Sequence, residues 1–115
     1  MKFWNPGQMP RRGEVWWVRL DPTSGSEIRK TRPCVVLTSN ILNERRRTVV
    51  VIPLSSSPQS SPLLLIPVDC GGRPAVAVID QIRAMTKERF DRRIGVLSAK
   101  QLAAIEDGVR EILEL

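Results

Sequence analysis

Thr48-Val49-Val50-Val51-Ile52-Pro53-Leu54 is apolar at consecutive positions from Val49 onward, not at alternate ones. Arginines precede it and serines follow it. A short β-branched run with no polar face reads as a strand in the middle of a sheet, covered on both sides. Its neighbours must then be strands too. On the N-terminal side, Gly13 to Leu20 carries Val15, Trp16, Trp17 and Val18 and stops at Asp21-Pro22. Pro33 to Leu37 is predicted as a second strand, with proline at its first position, where a missing N–H is tolerated. Ser39 to Arg45 fits one or two helical turns capped by Ser39. On the C-terminal side, Leu63 to Val68 reads as a fourth strand, Gly71-Gly72 as a turn, and Ala75 to Ile82 as a fifth strand with Asp80 and Gln81 near its end. Thr86 to Phe90 reads as a turn or short helical piece, and Ile94 to Leu97 as a last short strand.

The chain ends in its clearest helix. Ser98 and Gln101 have capping-box spacing. Leu102, Ile105, Val109, Ile112 and Leu113 then recur at helical intervals, opposite Lys100, Glu106, Arg110 and Glu114. Short strands followed by one terminal helix indicate a small β-barrel or rolled antiparallel sheet. The length, 115 residues, suits one domain. Residues 1–12 read as a loose arm and residues 13–115 as the domain itself.

Composition narrows the chemistry. The net charge is +6, and fourteen of the 18 cations are arginine. Residues 1–50 hold ten cations and four anions, whereas residues 98–115 hold two and four. A basic first half favours a polyanionic partner. Histidine is absent, which excludes a Ser-His-Asp triad, a histidine zinc site and a His/His nuclease. Two cysteines cannot make a four-ligand structural zinc site. Cys34, inside an apolar strand, reads as a buried small hydrophobe and not as half of a disulfide. The N-terminus has no apolar core of a signal peptide, and no apolar run approaches the ~20 residues of a membrane helix. The expected setting is the cytoplasm, with no membrane partner.

Three segments put polar groups where apolar strands begin or end. In Glu27-Ile28-Arg29-Lys30-Thr31-Arg32-Pro33, Arg29 and Lys30 read as solvated loop charges or phosphate contacts, and Arg32 is better fixed beside proline. Arginine suits a phosphate, because its planar fork donates two parallel hydrogen bonds. Ser55 and Ser56 place two hydroxyls directly after the central strand, either as turn residues or as ligands. In Asp80-Gln81-Ile82-Arg83, a strand would point Asp80 and Gln81 to opposite faces, and Arg83 could pair with Asp80.

Together, and in this order, these residues resemble the MazF/PemK toxins of bacterial toxin–antitoxin systems. The matching elements are Gly13-Glu14-Val15-Trp16 with Val18 and Leu20, Pro22, Gly25-Ser26-Glu27, Arg32-Pro33 with Val35-Val36-Leu37, Asn43, Val49 to Ser55, Asp80-Gln81-Ile82-Arg83, and Lys87, Arg89 and Phe90. Only the N-terminal arm falls outside. The resemblance implies an SH3-like barrel of antiparallel strands plus helices, acting as a homodimer. It implies metal-independent, cofactor-free cleavage of single-stranded RNA at short sequences, leaving a 2′,3′-cyclic phosphate and a 5′-hydroxyl.

Carried over residue by residue, the resemblance makes Arg32 the main stabiliser of the phosphorane charge and a candidate acid for the leaving oxygen. Ser55 becomes a ligand of a phosphoryl oxygen and Asp80 the candidate base. Glu27, Arg29, Lys30, Asn43, Ser56, Gln81 and Arg83 become RNA-positioning or site-shaping residues, with Gln81 and Arg83 alternatively structural. An acidic antitoxin that wraps the basic surface is the implied protein partner. Departures are Ser55 for a threonine, Val78 where some relatives carry a second arginine, Ala84 for a threonine, and no histidine in the first loop. Two rival readings share the fold class: a CcdB-like gyrase poison, and a nucleic-acid-binding barrel without catalysis. The pairing of Arg32 with Ser55 favours the ribonuclease over the first. The scarcity of aromatics for base stacking weighs against the second.

Overall fold

The computed structural model describes residues 9–20, 30–56 and 65–115. Its elements are β1 (Glu14–Arg19), β2 (Thr31–Val36), α1 (Asn40–Arg45), β3 (Thr48–Ser55), β4 (Leu65–Cys70), β5 (Arg73–Val78), β6 (Arg83–Thr86), β7 (Phe90–Val96) and α2 (Ala99–Leu113). Two 3-10 turns, Ile79–Gln81 and Lys87–Arg89, flank β6. All pairings are antiparallel, in the order β4-β5-β3-β2-β1-β7, with β6 also on β3. The expected β architecture with a terminal helix is therefore present.

β3 is the centre, as its composition predicted. Val49 and Val51 enter one apolar cluster with Trp16, Val18, Leu20, Cys34, Val36, Met85 and Phe90. Ile52 and Leu54 enter another, with Val15, Val35, Ala77, Ile79, Leu97 and Ile105. Side chains of a strand alternate between faces, so a strand that feeds two cores must be apolar throughout. The first cluster lies inside the curl of the sheet, and the second lies beneath α2. The Lys87–Arg89 turn bridges the curl: the Lys87 N–H donates to Arg47 beside β3, and Arg19 at the end of β1 donates to the Glu88 carbonyl.

α2 starts as its sequence dictates. The Ser98 hydroxyl accepts from the Gln101 N–H at 3.1 Å, and Gln101 Oε1 accepts from the Ser98 N–H at 3.3 Å. Ile105 is fully buried, with Leu102, Val109 and Ile112 packed around it. Leu113 does not join them and is 52% exposed. One residue beyond Ile112, it is turned about 100° onto the solvent side. Gly108 allows close approach: a Cβ there would lie 3.3 Å from Ile79 Cγ1. The helix thereby presses on the turn that carries Asp80 and Gln81.

Three boundaries differ from the sequence reading. β2 begins at Thr31, so Pro33 is its third residue, opposite Trp17. The available ladder on β1, which pairs Val18 with Arg32 and Arg19 with Thr31, outweighs the proline signal. The fifth strand is broken. Leu54 pairs with Ala77 and Val51 with Arg83, so three steps along β3 correspond to six along the other chain. The extra three are the Ile79–Gln81 turn, and Asp80 and Gln81 are not alternating strand residues. The last strand starts at Phe90 and not at Ile94, because β1 continues to pair with it as far as Val18. Residues Leu63 and Leu64 of the expected fourth strand, and most of the expected arm, lie outside the described residues. No described helix is long and apolar enough to cross a membrane.

Buried charge is compensated. Glu14 is 5% exposed, and its carboxylate accepts from the Arg11 N–H, Trp16 Nε1 and Arg93 Nη1 at 2.8, 3.0 and 2.9 Å. Burial lowers the pKa of Lys87, and the Glu44 carboxylate partly opposes that shift.

Candidate active site

Arg32 and Ser55 lie on neighbouring strands. β2 and β3 pair Cys34 with Pro53, Val35 with Ile52 and Val36 with Val51. Arg32 lies two residues before Cys34 on β2, and Ser55 two residues after Pro53 on β3, where Ser55 pairs with Val76 of β5. Both share the inner face: Arg32 alternates with Cys34 and Val36, and Ser55 with Val49, Val51 and Pro53. On its other side Arg32 faces Val18. Val18 is fully buried, Ser55 half-buried and Arg32 exposed. An exposed cation and a half-buried hydroxyl thus flank the same apolar cluster on neighbouring strands. Ser56 follows, exposed. Lys30 is also exposed, in the left-handed region at φ 67°, and its carbonyl accepts from the Leu20 N–H at 2.9 Å.

A second cation comes from β6. Arg83 shares the inner face with Met85 and is half-buried. Its Nε donates to the Gln81 carbonyl at 3.3 Å and its Nη2 to Gln81 Oε1 at 3.1 Å. Gln81 thus holds Arg83 by two bonds, and the Asp80–Arg83 pair that the spacing allowed is not formed. Asp80 is exposed on the 3-10 turn.

Cys34 is buried in the same cluster as Val18. Its Sγ donates to the Arg32 carbonyl at 3.7 Å. Burial pushes the thiol up to about 12, while the Arg83 charge pulls the other way. The Cys70 thiol is also raised, first by burial and then by Asp69, but is only half-buried. Both are free, as the sequence suggested. A thiol-specific reagent at pH 8 is expected to modify Cys70 slowly in the native protein and Cys34 only after unfolding. Two equally fast thiols would contradict this placement.

Asn43 is a correction. It is 1% exposed, so it cannot meet RNA in this conformation. Its Nδ2 donates to the Thr38 carbonyl at 2.8 Å, tying α1 to the end of β2, and its Oδ1 has no partner. An isolated asparagine carries no sign of burial in the sequence; the tertiary fold supplies it. Glu27 and Arg29 lie outside the described residues. Among the described residues there is no cluster of three or more acidic or thiol side chains that could hold a metal. A cavity of about 310 Å³ lies against α2, lined by Leu37, Val50, Ile82 and Val109 among others, and includes none of the candidate residues. An open polymer site needs no enclosed pocket, so this cavity does not decide between the candidate residues. The apolar cluster that Arg32 and Ser55 flank, Val18 with Cys34, was not singled out in the sequence as part of the site.

The family of PemK-like, MazF-like toxins of type II toxin–antitoxin systems matches residues 11–113. The chain belongs to this family. Endoribonuclease MazF9 of Mycobacterium tuberculosis is 34% identical, over 93% of this chain and 98% of that protein. The endoribonuclease toxin MazF of Escherichia coli is 26% identical, over 91% and 95%. Among solved structures, MazF of Deinococcus radiodurans superposes with a TM-score of 0.85 at 21% identity, over 93% of this chain and 98% of that one. A mycobacterial endoribonuclease in complex with its cognate antitoxin gives 0.74 at 19%, over 92% and 96%. The expected MazF-like fold is thus present in this toxin.

Proposed function

We propose that this toxin is a sequence-specific endoribonuclease that cuts single-stranded RNA without a metal or other cofactor. The observation that carries the reading is the match to the toxin family over residues 11–113, and the positions of Arg32 and Ser55 on the neighbouring strands β2 and β3 support it. RNA supplies its own nucleophile. The 2′-oxygen attacks the adjacent phosphorus, and the bond from phosphorus to the 5′-oxygen breaks. A 2′,3′-cyclic phosphate and a 5′-hydroxyl result, and DNA, lacking the 2′-hydroxyl, is not cut. The site must stabilise negative charge on the phosphoryl oxygens, take the 2′-hydroxyl proton and protonate the leaving oxygen.

Arg32 donates to the phosphoryl oxygens and faces the leaving 5′-oxygen. Ser55 donates to a phosphoryl oxygen. Asp80, exposed on the 3-10 turn, is the candidate base. Lys30, Ser56 and Arg83 steer the RNA, with Glu27 and Arg29 on the adjoining segment. The relatives named endoribonucleases along nearly their whole length support this reading over a gyrase poison.

The toxin domain, residues 13–115, acts as a cytoplasmic homodimer held inactive by a cognate antitoxin. The complex solved for a mycobacterial endoribonuclease of the same fold supports such a partner. The excess of cations in residues 1–50 favours an acidic antitoxin segment. In the test, Ser55→Ala is expected to reduce kcat on RNA about 10²-fold, in the range for one lost transition-state donor, and Ser55→Thr to retain most activity. Full activity of Ser55→Ala would remove the hydroxyl from the mechanism.

A further inference from the structure

We propose that Gln81 is a positioning residue: it aims the Arg83 guanidinium at the phosphoryl site and does not itself touch RNA. The inference rests on the ribonuclease reading above and adds a role that family membership does not supply. Gln81 is well placed to hold another side chain. Its backbone sits in a three-residue turn fixed by the offset between the β5 and β6 ladders on β3. Ile79, two residues earlier, is fully buried and packed beneath α2 at Gly108. The turn therefore has little room to shift. From it, the Gln81 carbonyl and Gln81 Oε1 take Arg83 Nε and Nη2 at 3.3 and 3.1 Å.

Two acceptors from one residue set the plane of the guanidinium as well as its position, which a single contact does not do. Arg83 belongs to the same inner face as Arg32 and Ser55, and its charge is felt at Cys34, the inner-face neighbour of Arg32. A long cation left to sample its rotamers would place that charge at the phosphate only part of the time. By accepting two bonds, Gln81 restricts that freedom in advance. Arg83 so held supplies a second cation in a chain that has Val78 where some relatives carry an arginine.

The test is a double-mutant cycle, read in two ways. The first readout is kcat on long single-stranded RNA. The second is binding of a labelled, 2′-O-methylated single-stranded RNA between 50 and 200 mM salt, a probe that cannot be cleaved. Arg83→Ala is expected to lower kcat at least tenfold and to reduce the salt slope by about one. Gln81→Met, similar in volume but without an acceptor, is expected to lower kcat about three- to tenfold and to flatten the salt slope, although glutamine carries no charge. In the Arg83→Ala background, Gln81→Met should change neither readout.

An equal loss from Gln81→Met in both backgrounds would overturn the proposal, since Gln81 would then touch RNA directly. A lowered Tm with an unchanged slope would also overturn it, leaving only a structural role. If Gln81→Met does not fold, Arg83→Lys answers the same question. It keeps the charge but cannot match both acceptors, so kcat is expected to fall and the salt slope to flatten, as in Gln81→Met. Full activity of Arg83→Lys would show that the fork held by Gln81 is not needed. If the wild type neither cuts nor binds RNA, the ribonuclease reading itself fails; that outcome is distinct from a cutting enzyme indifferent to Gln81.

Discussion

Arg32→Ala is expected to fold as the wild type does and to lose RNA cleavage by about 10²- to 10³-fold, the range for removal of one preorganised charge-stabilising donor. The fold should not notice the change. Arg32 is exposed at the end of β2, and its carbonyl, which accepts from Cys34, remains in the variant. The loss should fall mainly on kcat, because negative charge grows on the phosphoryl oxygens only as the 2′-oxygen adds. Arg32→Lys is expected to restore little. Lysine keeps the charge but presents no planar fork, and the apolar floor of Val18 and Cys34 gives its ammonium no fixed seat. The measurement is single-turnover cleavage of a long single-stranded RNA, with Tm recorded beside it. A variant that cuts within threefold of wild type would remove Arg32 from the chemistry.

Ile105→Ala carries the largest expected cost to the fold. Ile105 is fully buried where α2 meets the sheet, in contact with the cluster that includes Ile52, Leu54, Ala77 and Ile79. Truncating a buried isoleucine costs about 2–5 kcal/mol, a transfer contribution plus the cavity left behind. For a chain of this size that lowers Tm by about 10 °C or more. Leu113→Ala, on the same helix, is expected to change stability by no more than about 0.5 kcal/mol, since Leu113 already faces solvent. Thermal unfolding of the two variants separates the packed face of α2 from its exposed one. Equal losses would mean that the helix packs with a different rotation.

The contrast between these two leucine-like positions shows how far the sequence could be read. Periodicity placed α2, its capping box and its apolar face, because helix capping is local chemistry and a stripe repeats over four turns. It overextended the stripe by one residue, at the end where no further repeat constrains it. β3 was legible for the same reason in reverse: an unbroken apolar run has few ways to be buried other than between two cores. The break at Ile79–Gln81 was not legible. Ala75 to Ile82 is apolar enough for one strand, and only the offset between two ladders on β3 forces three residues out of line.

That offset bears directly on the site. It takes Asp80 and Gln81 off the strand, frees Arg83 from the expected pair with Asp80, and gives it to Gln81. The burial of Asn43 was not legible, because a lone polar residue carries no local sign of it; in the structure its Nδ2 holds the Thr38 carbonyl. Arg32 and Ser55, by contrast, were singled out through the family resemblance, at the ends of two strands that the structure does contain.

The most direct test is digestion of a long single-stranded RNA by the purified wild-type toxin in excess EDTA, with the ends of the fragments analysed chemically. The account predicts cuts at a short recurring sequence, each leaving a 2′,3′-cyclic phosphate and a 5′-hydroxyl. No cleavage by the folded protein, or fragments that end in a 5′-phosphate, would contradict it.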